Sequence, residues 1–175
     1  MIERIIPKVR SPFTQKGFTL LELIVVFSII AILSTIGLAS FVSYSKSQTL
    51  QSGLNDVTSV LNTAKSKASA QIIPDLCSGS LVGYGVSIFK SANGSHPANS
   101  YTLEATCSGS GVTQISSTNL PSGVSFNAAT NTPNIFFSVL TGAVITGAPG
   151  NGNIVLSGFS LPNKTITVNS LGVIQ

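Results

Sequence analysis

Apolar and polar positions divide the chain into three stretches with different periods. Residues 18–42, FTLLELIVVFSIIAILSTIGLASFV, are apolar almost throughout, and from Leu23 to Ile36 only Ser28, Ser34 and Thr35 interrupt them. From Gln48 to about Gln71 the apolar residues thin to a stripe: Leu50, Leu54, Val57, Leu61, Ala64 and Ala68. Their steps alternate between four and three, which places them on one side of a helix. Gln51, Asn55, Asp56, Thr63 and Lys67 take the opposite side. No proline intervenes before Pro74, so the pattern predicts one helix from Phe18 to near residue 70.

After Pro74 the apolar runs become short and are punctuated by Gly, Asn, Pro and Ser. The runs Leu81–Phe89, Tyr101–Thr106, Val112–Ser116, Ile135–Leu140, Ala143–Ile145, Ile154–Leu156 and Thr165–Val168 read as strands. Pro149-Gly150-Asn151-Gly152 reads as a hairpin turn, and Asn93-Gly94 and Asn169-Ser170 as two further turns. Such spacing implies an antiparallel sheet, and with the helical stripe packed on it the fold class is α+β.

Length changes the reading of the first stretch. Twenty-five helical residues span about 37 Å, more than a hydrocarbon core of roughly 30 Å. Arg4, Lys8, Arg10 and Lys16 precede the stretch and no basic residue follows before Lys46. That asymmetry keeps the N-terminus cytoplasmic and sends the remainder outside, with Tyr44 suited to the membrane interface. Glu22 is the exception inside the apolar run, and an acidic residue facing lipid calls for a partner or a function. A conventional secretory signal cleaved after Ala39 is a competing reading, but it leaves Glu22 unexplained.

Charge adds one exclusion. The net charge is +4, yet beyond residue 17 five lysines face four acidic residues, a formal +1. Only Lys65 and Lys67 stand close together, and a solvated helix end accounts for them, so no nucleic-acid surface is expected on this count. Charged residues are 8% of the chain, against roughly 25% in an ordinary soluble domain. A polar, weakly charged surface of this kind suits a secreted, self-associating protein.

The segment Lys16-Gly17-Phe18-Thr19-Leu20-Leu21-Glu22, running straight into the apolar stretch, closely resembles the prepilin signal of type IV pilins and type II secretion pseudopilins. The resemblance implies that a prepilin peptidase cuts after Gly17 and N-methylates Phe18. It implies further that Glu22, in lipid, pairs with the new terminal amine of its own or a neighbouring subunit and so sets the axial register of assembly. The domains that follow are a cleaved leader 1–17, a transmembrane assembly helix 18–42, an amphipathic continuation 43–72 and an extracytoplasmic β-rich head 73–175. The implied partners are the peptidase, other pilin or pseudopilin subunits, and an inner-membrane assembly platform with its ATPase. Where such pilins often carry a helix-breaking proline, this chain has Gly37-Leu38-Ala39, so local melting would depend on Gly37.

The head is also similar to the GspH/FimT-like minor pseudopilin and minor pilin domain, through Leu61–Ser69, Val82–Phe89, Phe137-Ser138-Val139-Leu140-Thr141-Gly142 and Thr165–Val173. Some members of that family capture DNA through a C-terminal Gly-Arg-x-Arg-like sequence. Here the chain ends Leu171-Gly172-Val173-Ile174-Gln175, without arginine.

Cys77 and Cys107 are the two cysteines, and an even count outside the cytoplasm favours a disulfide over two buried thiols. No metal is expected, because two cysteines and a single His96 lack ligand spacing, and no cofactor motif is present. No nucleophile elbow, Walker motif or dinucleotide fingerprint occurs, and His96 reads as part of a solvent turn, so no enzyme is expected. Asn93-Gly94-Ser95 and Asn163-Lys164-Thr165 match glycosylation sequons that chance also produces. The expectation is a structural subunit. Its rivals are a DNA-capturing competence-type pilin and a conventionally secreted soluble adhesin.

Overall fold

The computed structural model describes residues 17–144 and 152–175. The chain divides into two units, Met1–Val42 and Ser43–Gln175. Helix α1, Leu20–Ser69, contributes its first part to one unit and its second part to the other.

Within the second unit, the helical stripe is the floor of the core. Leu50, Val57, Leu61, Ala64 and Ala68 are buried, and Leu54 packs against them half-buried. The helix ends in a Schellman motif. Ile72 N–H donates to Lys67 O and Gln71 N–H to Ala68 O, with Gln71 in the left-handed region at φ 53°. The end at Ser69 agrees with the periodicity, which fails at the same place.

Seven strands follow: β1 Leu81–Phe89, β2 Ser100–Cys107, β3 Gly111–Asn119, β4 Val124–Phe126, β5 Asn134–Ser138, β6 Gly152–Gly158 and β7 Lys164–Val168. They form two antiparallel sheets, not one: a four-stranded sheet in the order β3-β2-β1-β5 and a three-stranded sheet in the order β4-β6-β7. Rows of side chains cross the larger sheet toward the helix. Phe137, Tyr84 and Ala105 form one row, Ile135, Val86 and Leu103 the next, and Ile88 with Tyr101 a third. All of these residues belong to one buried cluster with the helical stripe and with Val124, Phe126, Ile154, Leu156, Ile166 and Val168 of the smaller sheet.

Several sequence expectations are corrected here. The run Ile135–Leu140 stops being a strand at Ser138, because Gly142 N–H returns to Ser138 O and Leu140 turns left-handed at φ 69°. Val112–Ser116 extends to Gly111–Asn119. Strand β4 was not expected; its Val-Ser-Phe alternates, with Val124 and Phe126 buried, but is only three residues long. Val144 makes an isolated bridge to Phe137, while Ile145 and the turn residues Pro149, Gly150 and Asn151 lie outside the described residues. Gly53, absent from the apolar stripe, is buried. A Cβ there would lie 3.3 Å from Pro121 and 3.5 Å from Val124, so its small size admits the start of the smaller sheet.

Cys77 and Cys107 form a disulfide with a Cα–Cα distance of 5.7 Å, tying the segment after the helix to the end of β2. Ser108 and Ser110 hydroxyls accept from the Ser80 and Ser78 amides alongside it. His96 closes an exposed turn, exchanging both backbone hydrogen bonds with Asn93. It is half-buried, and its ring stacks on Phe89 at 4.1 Å.

Candidate assembly site

The residues of the predicted signal lie where apolar helix begins. Gly17, Phe18 and Thr19 precede α1 and are exposed, Phe18 at 81%, and nothing approaches within 4 Å of where a Gly17 Cβ would be. A bond in an open, non-helical segment meets the requirement of a protease that binds its substrate extended. The leader up to Lys16 lies outside the described residues.

Thr19 is the N-cap of α1. Its hydroxyl accepts the Glu22 N–H at 3.2 Å, and Leu23 N–H donates to Thr19 O to close the first helical turn. The spacing Thr19-Leu20-Leu21-Glu22 is that of a capping box, with the acidic residue where the helix dipole favours it. Sequence reasoning had assigned Glu22 to assembly alone and missed Thr19. The Thr-x-x-Glu signal ahead of an apolar run would have found it. Phe18, Glu22 and Val26 succeed one another by four residues and line one shallow hollow with Leu23, Phe27 and Ile30. The acidic side chain thus shares a face with the residue that would bear a new terminal amine.

Beyond Glu22 the helix presents apolar side chains in every direction. From Leu23 to Leu33 the large apolar residues are between 48% and 63% exposed, so no face of this unit is a buried core face. The hydroxyls among them are satisfied within the helix: Ser28 Oγ donates to Ile24 O at 2.8 Å, Ser34 Oγ to Ile30 O at 2.7 Å, and Thr35 Oγ1 to Ile32 O at 2.8 Å. Such groups enter lipid without leaving a donor unpaired. Among the described residues α1 is the one helix long and apolar enough to cross a membrane.

A long N-terminal helix whose second part packs on an antiparallel β head is a pilin-like α+β arrangement. Residues 13–38 match the family model of the prokaryotic N-terminal methylation motif. That match supports a place in the type IV pilin and pseudopilin superfamily, hence a subunit processed by prepilin peptidase that assembles with other pilin subunits. It points to a structural protein. With the apolar helix it also supports membrane anchoring with an exposed head. No curated protein and no solved structure shows significant similarity to the chain.

Proposed function

We propose that this chain is a minor pilin or pseudopilin of the GspH/FimT-like kind, a structural subunit of a type IV pilus or type II secretion pseudopilus. The methylation motif over residues 13–38, set on an exposed helix start, carries the reading. Prepilin peptidase removes residues 1–17 at the Gly17–Phe18 bond and methylates Phe18. The chain then waits in the inner membrane as a single-pass protein, and the assembly platform extracts it into the fibre. Removal of the leader frees an amine on Phe18, one helical turn from Glu22. In lipid, an ion pair between that amine and the Glu22 carboxylate of the same or an adjacent subunit is favoured at one axial register and lost in slipped ones. Glu22 therefore selects register.

Intact mass and N-terminal sequencing of the protein from its native membrane test this. A chain beginning at N-methyl-Phe18 is expected. A chain beginning near Ser40 refutes the reading and leaves a soluble secreted protein. The DNA-capture alternative finds little support in the head. Beyond residue 17 five lysines face four acidic residues, and Lys90 donates to Thr130 O at 2.7 Å while Lys67 Nζ lies over the Tyr84 ring at 5.9 Å.

A further inference from the structure

The sheet edges of the head are treated unequally. Strand β5 is covered by the chain's own return: Phe137 bridges Val144, and Ser138 N–H donates to Ala143 O. Strand β7 is covered by the C-terminal residues, with Thr167 and Gln175 exchanging both backbone hydrogen bonds at 2.8 and 2.9 Å, and it carries Lys164 as a charged guard. Strand β4 is only three residues long. Strand β3 is different. It spans nine residues, Gly111–Asn119, pairs with β2 on one side, and no described residue pairs with its other side.

Strand β3 also stands clear of the core. The buried rows of the larger sheet run out at β3 into Thr113 opposite Ala105, Ser116 opposite Leu103 and Thr118 opposite Tyr101. Only Thr113 and Ile115 are half-buried, and the other seven residues are exposed. Its sequence, GVTQISSTN, holds no charge and no proline, the two usual means of blocking an edge. The one guard it retains is a bulge at Ile115, which leaves regular strand on either side.

We propose that β3 is a strand-addition edge whose occupant is β3 of a second copy of this chain, laid antiparallel across a two-fold axis. The charge pattern selects that occupant. A strand that carries no charge meets its own copy in any register without like charges standing opposite one another. Every antiparallel register of β3 on itself brings together hydroxyl, amide and β-branched side chains, pairs that favour a sheet. An edge with no charge offers a foreign charged strand nothing to recognise. The two-fold arrangement needs one self-complementary patch, the commonest solution for a homodimer. Pairing would join two four-stranded sheets into a continuous one of eight strands.

Backbone hydrogen exchange on the full-length protein in detergent micelles tests this, because it reads β3 locally and is insensitive to association through the apolar helix. Concentrating the protein is expected to slow the alternate, outward-facing amides of residues 111–119 by at least about tenfold, with β1 and β2 amides unchanged. Ser117→Lys, at an exposed position, is expected to abolish that slowing while leaving the rest of the exchange pattern intact. Concentration-independent β3 exchange in the native sequence, or slowing that persists in Ser117→Lys, overturns the proposal. Slowing that appears only when a different pilin-type subunit is added also overturns it, and assigns the edge to that subunit.

Discussion

Gly83 lies in β1 opposite Ser138 of β5, with the Phe136 ring across it. A Cβ there would collide with Phe137 O and with the Phe136 ring, so β1 and β5 approach closely here only because this residue has no side chain. Gly83→Ala is therefore expected to destabilise the head by about 1–3 kcal/mol, read as a lower denaturant midpoint at unchanged slope. Two tyrosines set an alkaline limit. Burial raises the Tyr84 phenol above the ordinary 10.0. Burial and the nearby Asp56 raise Tyr101, against a lowering hydrogen bond with Thr118. Below pH 10 both phenols are neutral whether folded or unfolded, and their contribution is complete. Above it the unfolded chain loses these protons first, so stability falls as pH rises through the folded values. Denaturant midpoints are expected to drop as pH rises above 10, with a shallower slope for Tyr101→Phe.

At the scale of elements, the helix was the most legible part of the sequence. Its stripe repeats over five steps, and the structure ends it at Ser69, where the repeat ends. Leu61, fully buried at its centre, is expected on conversion to alanine to cost about 2–5 kcal/mol in chemical unfolding of the head. Strand bounds were legible unevenly: interior β6, Gly152–Gly158, was read only over Ile154–Leu156, whereas β1 was read whole. Strand β1 sits inside its sheet, and its bounds were foreseen to the residue. Strand β3, at an edge, has no buried face to impose alternation, and its ends were underestimated. The division into two sheets was hidden for a different reason. Which strands pair with which is set by contacts between residues distant in sequence, and these leave no periodic trace. The disulfide lies among the elements too. Reduction is expected to cost about 3–4 kcal/mol by the chain-entropy estimate for its loop, seen as a lower melting temperature with and without reductant.

For the whole molecule, the methylation motif and the apolar run were legible because their residues are contiguous. The capping role of Thr19 was overlooked because Glu22 already had a use. Glu22 stands in the first turn of α1, where the helix dipole favours a carboxylate, and register selection after cleavage is the role proposed for it; a substitution tests that role. Glu22→Gln keeps a capping-box side chain and removes the charge. It is expected to leave processing and membrane retention intact while reducing recovery in sheared fibres at least about tenfold. Recovery equal to the native chain would remove the registration role.

The disulfide has a mechanical consequence. In the fibre proposed above, with α1 as the element that holds it together, tension would enter each head along the helix and shear the stripe Leu50–Ala68 against the sheet. Only seven residues separate Ser69 from Cys77, eight steps along the chain that span about 27 Å when fully drawn out. Beyond that the load crosses a covalent bond into Cys107 at the end of β2, an interior strand of the four-stranded sheet. A head whose helix is dragged loose is thus arrested after a short travel instead of unravelling from its N-terminal side, and it remains tethered where it can dock again once the pull is released.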